Sequence, residues 1–242
     1  MIRSKKSEST QKLITIFEET LEYCQLKLES EQISCMDYMQ LKKAEIIVLN
    51  VDCVTAARKF IEKGCNVAML NMASFSTPGG GVQKGSRAQE EHLCRLSNLF
   101  PMLNELKYPW KEFDCFAHKG VSFVRDEETF DFLKKPWKCD IISVAGYKLN
   151  SPKQFTKETF EKTVKKIQQI VEMAIKLKTQ VLILSPLSCG AYANPNDQIA
   201  LAFWKVLVAQ NWKSCFHRVV FAIIDDQNSS DNFEVFEKMF KN

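Results

Sequence analysis

Short, almost continuous apolar runs alternate along this chain with stretches in which an apolar residue recurs at every third or fourth position. The first pattern predicts strands that are buried on both faces, and the second predicts amphipathic helices. Strands and helices that alternate in this way build a sheet with helices on both sides, so the pattern predicts an α/β/α architecture. The predicted strands are 45–50, 67–71, 140–145, 181–184 and 219–224.

Helical spacing predicts the elements between these strands. The first helix carries an apolar stripe from Leu13 to Cys24, and Ser9 or Thr10 is a suitable N-cap for it. A later helix follows a glycine-rich segment and is expected to end at Pro101, because proline interrupts helical hydrogen bonding. The remaining predicted elements are helices over 54–61, 160–174, 197–209 and 233–240, and an irregular region with hairpins over 108–138.

Composition narrows the class of protein. With 242 residues and 45% hydrophobic content, the chain can bury a sizeable core as one domain. No apolar run approaches the roughly 20 residues that cross a bilayer, and the charged start of the chain is followed by polar residues instead of a secretion signal. We therefore expect a soluble protein without membrane contact.

Charge is nearly balanced, since 33 basic and 29 acidic residues give a net charge of +4. The charges are spread along the chain, so neither strong non-specific binding nor direct sequence-specific binding to nucleic acid is indicated. A local site for an anionic ligand remains open.

The nine cysteines stand singly, and no C-x-x-C pair occurs. An odd number at this spacing argues against both a disulfide framework and a zinc site. We expect reduced thiols in the cytoplasm or nucleus, and we predict no metal and no other cofactor. The cysteines are Cys24, Cys35, Cys53, Cys65, Cys94, Cys115, Cys139, Cys189 and Cys215.

Candidate chemistry begins in the glycine-rich segment after the second strand. Gly79, Gly80 and Gly81 permit a positive φ and let backbone N–H groups approach a ligand, an arrangement that suits phosphate. The segment matches neither the Walker loop nor the dinucleotide fingerprint. Three glycines alone are equally compatible with a flexible turn.

Two acidic residues, Glu90 and Glu91, open the helix that follows. Carboxylates in a first turn complement the helix dipole, and Glu91 could pair with Arg95 one turn later, so a purely structural role is open. Adjacent helical residues diverge by roughly 100°. We therefore expect at most one of the two to face a reacting bond, unlike the facing carboxylates of most glycosidases.

A second candidate loop, 185–195, follows the strand 181–184. Ligands of open α/β sheets bind outside the carboxyl ends of strands, where both loops are predicted to lie. Gly190 could approach a diphosphate and Tyr192 could stack on a sugar or base, although an ordinary loop is the alternative. Cys189 has no neighbouring base and is predicted to be a buried thiol and not a nucleophile.

Taken together, these residues resemble the microbial-type poly(ADP-ribose) glycohydrolases (PARGs) of the macrodomain superfamily. Their signature is three glycines, a short spacer and Gln-Glu-Glu. Here a spacer of seven residues separates Gly79, Gly80 and Gly81 from Gln89, Glu90 and Glu91. The resemblance covers most of the chain. It implies a three-layer α/β/α macrodomain, 1–242, with a mixed central sheet, an N-terminal helical extension over 1–44 and a core over 45–242.

The resemblance also implies the activity, that of a glycoside hydrolase acting on the ribose–ribose O-glycosidic bond of poly(ADP-ribose). The implied catalytic residues are Glu91, as the general acid/base, and Glu90, which would hydrogen-bond the ribose region. The sequence departs from the family at Ser188, where glycine is usual, and at Tyr192, where phenylalanine is commoner. The implied ligand-binding residues are Asn71, Gly79, Gly80, Gly81, Gln89, Ser188, Cys189, Gly190, Ala191 and Tyr192.

The implied partners are ADP-ribose, poly(ADP-ribose) and ADP-ribosylated proteins.

Other functions remain open at this stage. The proposed acid, Glu91, would serve a hydrolase of mono-ADP-ribosylated proteins equally well. A non-catalytic ADP-ribose reader is a further alternative, and so is an interaction domain in which the glutamates only stabilise a helix start.

Overall fold

A six-stranded sheet forms the centre of the protein. The computed structural model describes residues 2–27, 44–225 and 231–241. The strand order is β1-β6-β5-β2-β4-β3, with all neighbours parallel except β3, which runs antiparallel to β4 at one edge. The strands are β1 (Glu45–Leu49), β2 (Val67–Met72), β3 (Cys115–Arg125), β4 (Phe132–Val144), β5 (Val181–Leu184) and β6 (Arg218–Ala222).

Helices cover both faces of this sheet, because its strands alternate their side chains between two cores. In β2, Met69 packs into the core beneath α2 to α4, whereas Ala68 and Leu70 pack into the core beneath α5 to α7. The predicted three-layer architecture with a mixed sheet is confirmed. The helices are α1 (Ile2–Lys27), α2 (Cys53–Ile61), α3 (Gln89–Leu96), α4 (Leu99–Asn104), α5 (Lys157–Lys176), α6 (Asn196–Trp204) and α7 (Asn232–Phe240).

The N-terminal helix begins earlier than predicted. Helix α1 starts at Ile2, so Ser9 and Thr10 lie inside it and neither is its N-cap. Both side chains are engaged elsewhere: the Ser9 hydroxyl accepts a hydrogen bond from Arg87, and Thr10 lies against Gly85. The N-cap prediction was wrong because tertiary contacts, not capping, placed these residues.

The prediction that Pro101 ends a helix was also wrong. Helix α3 already ends at Leu96, and Pro101 lies in the first turn of α4. A proline costs no hydrogen bond there, because the first N–H groups of a helix have no intrahelical partner. The break is made by Ser97, whose hydroxyl donates to the Leu93 carbonyl at 2.7 Å and accepts from the Leu99 N–H at 3.2 Å.

The region expected to be irregular contains a long β3–β4 hairpin. Strand β4 begins at Phe132, well before the predicted residue 140. Pro136 lies in the part of β4 that pairs with β3 alone, so its missing N–H interrupts no ladder on the other side. The rings of Phe123 and Trp137 stack across the hairpin, with their centroids 4.3 Å apart.

Within the described ranges, no helix has the length and apolarity needed to cross a membrane. Cys35 lies outside the described residues. Among the other eight cysteines all thiols are free, and Cys189 is buried as predicted.

Candidate functional site

The two candidate loops meet at the carboxyl ends of the parallel strands. Strands β2 and β5 are parallel neighbours, so the loops that follow them leave the sheet side by side. The Gln89 amide joins the two: its Nε2 donates to the Leu70 carbonyl at 2.9 Å and to the Ser185 hydroxyl at 3.4 Å, and its Oε1 accepts from the Met72 N–H at 2.8 Å. The amide of Gln89 is bonded to the protein at both ends and fixes the start of α3. Its role in binding ligand stays a prediction.

Glu90 is almost completely buried in the site, at 3% exposure. Its Oε2 accepts the Ser74 N–H at 2.7 Å, whereas its Oε1 has no hydrogen-bond partner among the described residues. Burial raises the pKa of this carboxyl to about 8; the Ser74 N–H opposes that shift, and the neighbouring charge of Glu91 adds to it. Glu90 is therefore largely protonated at neutral pH.

Glu91 is buried beside it, at 7% exposure. Its Oε1 accepts the Gly81 N–H at 2.8 Å, and its Oε2 is buried without a partner in the described part of the chain. Both carboxylates reach Gly80: a Cβ there would lie 2.6 Å from Glu91 Oε1 and 3.1 Å from Glu90 Oε2. The long, flexible side chains thus bring both carboxylates to one glycine although adjacent helical residues point in different directions. That at most one of them faces the reacting bond stays a prediction.

The triple glycine holds these carboxylates. Gly79 and Gly80 have positive φ values of 64° and 57°, as predicted, but Gly81 does not, at −100°. The N–H of Gly80 bonds the Thr77 carbonyl at 3.2 Å, and that of Gly81 bonds Glu91 at 2.8 Å. The N–H groups of Gly80 and Gly81 thus have protein acceptors, and glycine at position 80 lets both glutamates approach the backbone. The expected role of the segment in phosphate binding stays a prediction.

Asn71 adds a third polar group to the cluster. It is fully buried near the end of β2, where its Nδ2 donates to the Ser143 hydroxyl at 3.0 Å. Its Oδ1 has no partner among the described residues. Buried polar atoms are normally hydrogen-bonded, so three unpartnered oxygens on Asn71, Glu90 and Glu91 mark a place for a ligand with hydroxyl donors.

Tyr192 brings the second loop to the same cluster. Its ring is half-buried, and its pKa is raised first by burial and then by the charges of Glu90 and Glu91, while a hydrogen bond with the Ser74 side chain opposes the shift. The charges of both carboxylates therefore act on the Tyr192 hydroxyl. Of its neighbours, Ala191 is exposed and Gly190 has open space around it.

Asn194 holds this loop in place and was not predicted. Its buried Nδ2 lies within hydrogen-bonding distance of three carbonyl oxygens, those of Tyr147 at 2.6 Å, Ser188 at 3.1 Å and Tyr192 at 3.1 Å. One amide thus gathers the loop around the aromatic residue. A polar residue before a proline carries no sequence signal for this role.

Ser188 occupies a position that favours glycine, as its departure from the family pattern suggested. Its φ is 64°, in the left-handed region. A Cβ at Gly146 would lie 1.8 Å from the Ser188 Oγ and 2.9 Å from its Cβ. The serine side chain therefore fills the space that the missing side chain of Gly146 leaves.

Arg95 does not form the ion pair with Glu91 that the sequence allowed. Its guanidinium turns to two backbone carbonyl oxygens, those of Leu13 on α1 and Ser86 in the glycine-rich segment. His92 also faces away from the cluster, since its ring lies edge-on to Phe130 with centroids 5.7 Å apart. Over the part of the chain that the structure describes, no group of three or more His, Cys, Asp or Glu residues could hold a metal ion.

A comparison with protein families agrees with this geometry. Residues 4–121 match the model described as microbial-type PARG, catalytic domain. The chain resembles the microbial-type PARGs. The matched segment runs from the first turn of α1 to the middle of β3 and includes the three glycines and both glutamates. No curated protein matches the chain significantly.

Solved PARG structures share the fold. A point mutant of the PARG from Thermomonospora curvata matches with a TM-score of 0.78 at 20% identity, over 95% of this chain and 100% of that one. The PARG of the same bacterium bound to the inhibitor ADP-HPD gives 0.68 at 21%, over 96% and 83%. The PARG from Deinococcus radiodurans in complex with ADP-ribose gives 0.70 at 20%, over 96% and 90%. At these identities the likeness shows the fold, and the predicted fold class is confirmed.

Proposed function

We propose that this protein is a poly(ADP-ribose) glycohydrolase, which hydrolyses the ribose–ribose O-glycosidic bond of the polymer and releases ADP-ribose. The observation that carries the proposal is the buried pair Glu90 and Glu91, each with one carboxyl oxygen that lacks a protein partner. A helix start needs no such pair of unsatisfied buried acceptors, so an interaction domain leaves them unexplained.

Glu91 would be the general acid/base. Its Oε1 is fixed by the Gly81 N–H, which leaves Oε2 to face the substrate. In its acid form, Glu91 would donate a proton to the leaving ribose oxygen while the glycosidic C–O bond breaks and an oxocarbenium-like centre forms. The resulting carboxylate would take a proton from the water that attacks this centre. The acid is thereby restored, and one carboxyl group performs both proton transfers.

Glu90 and Asn71 would bind the reacting ribose. With a pKa of about 8, Glu90 keeps its proton at neutral pH and can both donate and accept a hydrogen bond. The free Oδ1 of Asn71 can accept one from a second hydroxyl. Tyr192 would pack against the sugar, and Gly190, which has open space around it, would let the diphosphate approach the second loop.

The other proposed ligand contacts follow the family resemblance. We propose that the walls of the ADP-ribose site are completed by Gly79, Gly80, Gly81, Ser188, Cys189 and Ala191, with Gln89 as the residue that positions Glu90 and Glu91. Cys189 would contribute through its backbone, since its thiol is buried and burial raises its pKa.

The experiment that tests the proposal measures release of ADP-ribose from poly(ADP-ribosyl)ated protein. Glu91→Gln keeps the size and the Gly81 hydrogen bond but cannot act as an acid. We expect it to bind ADP-ribose as the wild type does by calorimetry and to lose turnover by about 10² to 10⁴-fold. Equal loss of binding and turnover would contradict the assigned role.

Two other outcomes lead to different functions. Release of ADP-ribose from mono-ADP-ribosylated protein, with polymer left intact, would make the protein a mono-ADP-ribosyl-protein hydrolase. Tight binding of ADP-ribose without any release would make it a reader.

We further propose that 1–242 act as one catalytic domain in the cytoplasm or nucleus, with ADP-ribosylated proteins as partners. Free, mostly buried thiols are compatible with these reducing compartments. The packing of α1 on α3 supports a single unit.

A further inference from the structure

A buried arginine links the N-terminal helix to the glycine-rich segment 79–87. Arg95 is 2% exposed and lies on α3, one turn after Glu91. Its Nε donates to the Leu13 carbonyl on α1 at 3.2 Å, and a terminal nitrogen donates to the Ser86 carbonyl at 2.5 Å. A single guanidinium thus joins two segments that are distant in sequence.

The contact continues from Ser86 to the acid itself. The Ser86 N–H donates to the Gly81 carbonyl at 3.1 Å, and a Cβ at Gly81 would lie only 2.2 Å from the Ser86 hydroxyl. Gly81 in turn donates its N–H to Glu91 Oε1 at 2.8 Å. An unbroken series of contacts therefore runs from α1 through Arg95, Ser86 and Gly81 to Glu91.

Two more contacts fasten α1 to the same segment. A Cβ at Gly85, where φ is 74°, would lie 2.5 Å from Thr10 Cγ2 and 2.9 Å from the Thr10 carbonyl oxygen, so the loop backbone lies directly on the helix. At the surface, Arg87 donates to the Ser9 hydroxyl. The loop 79–87 thus rests on α1 at three places.

We propose that Arg95 is a positioning residue that, together with α1, holds the 79–87 segment so that Gly81 fixes the Glu91 carboxyl group. The inference rests on the proposed function, because it assigns a task to Arg95 in that reaction. Arginine suits the task, since its planar fork bonds two carbonyl groups on different elements; the single ammonium of lysine cannot reproduce that geometry.

The test compares Arg95→Lys with Arg125→Lys. Arg125 is the matched control: it is 4% exposed and also bonds α1, through Thr20 at 2.8 Å and Glu19 at 2.7 Å, but its remaining bond goes to the Phe130 carbonyl and not to the 79–87 segment. Each variant keeps the charge and loses the fork. Stability is measured for both by urea unfolding.

We expect Arg95→Lys to lower kcat about tenfold or more while KM for polymer changes less than about threefold, because misplacement of a reacting group lowers the rate of the chemical step. Amide hydrogen exchange over 79–87 should accelerate. Arg125→Lys should leave kcat within about twofold and exchange over 79–87 unchanged. Unchanged kcat and exchange in Arg95→Lys, or the same kcat loss in both variants at equal stability, would overturn the proposal.

An exposed variant keeps the test decisive if Arg95→Lys does not fold. Arg87→Gln removes the surface contact with Ser9, and we expect kcat to fall about twofold to threefold with faster exchange over 85–87; no change in either would refute the role of α1. Failure of the proposed function is distinguishable. If the wild type has no turnover, the comparison of amide exchange over 79–87 between wild type and Arg95→Lys still shows whether Arg95 restrains the segment.

Discussion

Glu90 keeps a proton at a pH where an exposed glutamate is charged, and folding must therefore depend on pH. Its pKa is about 8 in the folded protein and near 4.5 in an unfolded chain. Below pH 4.5 both states carry the proton. As the pH rises from 4.5 to 8, the unfolded chain releases its proton first, so this contribution to stability is progressively lost.

We predict that Glu90→Gln removes this dependence. One pKa unit corresponds to about 1.4 kcal/mol, so the wild type should lose a few kcal/mol of unfolding free energy across this window. The measurement is urea unfolding of both proteins at pH 5 and pH 8. If the two lose stability in parallel, the carboxyl of Glu90 is not the group responsible.

Gly146 and Ser188 exclude a second side chain between them. We predict that Gly146→Ala costs about 1–3 kcal/mol, because the new Cβ overlaps the Ser188 Cβ, which cannot rotate away. In a Ser188→Gly background the same alanine should cost much less. Urea unfolding of the four proteins gives the coupling energy, and Gly190→Ala, with nothing within 4 Å of its Cβ, is the neutral control. Additive costs would rule out the overlap.

At the same scale, the sequence indicated candidate groups but not their arrangement. The glycines permit positive φ, which Gly79 and Gly80 adopt and Gly81 does not, and the role of Glu91 as the acid stays a prediction. The sequence did not reveal that both carboxylates turn towards Gly80 or that the loop N–H groups bind them. Side-chain torsions decide these contacts, and periodicity along a chain contains no information about them.

Among the elements, α1 is fixed to the core by Thr20, which is fully buried. Its hydroxyl lies 2.7 Å from the Arg95 carbonyl and 2.8 Å from the Ile16 carbonyl, to which it can donate, and it accepts from Arg125 Nε at 2.8 Å. One hydroxyl therefore connects α1, α3 and β3.

We predict that Thr20→Val destabilises the protein by about 1–3 kcal/mol. Valine has the same shape but leaves the Arg125 Nε and the Arg95 carbonyl without this partner. Thr20→Ser retains the hydroxyl and should recover most of the loss. Thermal or urea unfolding of the three proteins provides the comparison; a valine variant as stable as the serine variant would contradict the role of the hydroxyl.

Element boundaries show where local patterns are insufficient. The strands that cross the middle of the sheet were predicted almost to the residue, because burial on both faces requires continuous apolar runs. The outer part of β4 was missed, because it is covered on fewer sides and tolerates lysines and Pro136. The break at Ser97 was missed because a serine hydroxyl replaced the expected proline.

For the whole molecule, the parallel sheet determines where the site lies. Strands β2 and β5 are parallel neighbours, so the loops that follow them lie side by side although they are more than a hundred residues apart in sequence. The alternation of strands and helices was enough to predict this. The packing of α1 against the 79–87 segment was not predictable, because it depends on backbone carbonyl groups that every residue possesses.

Helix α1 is separated in sequence from the rest of the described fold. The helix ends at Lys27, whereas the sheet begins at Glu45, so the 79–87 segment and the helix that supports it lie on either side of the stretch 28–44. If the chain were expressed as two fragments divided within this stretch, one fragment would carry the proposed catalytic residues and the other their support. Under the proposed function, hydrolysis that appears only on mixing would report that the fragments had met, as in a split-enzyme sensor.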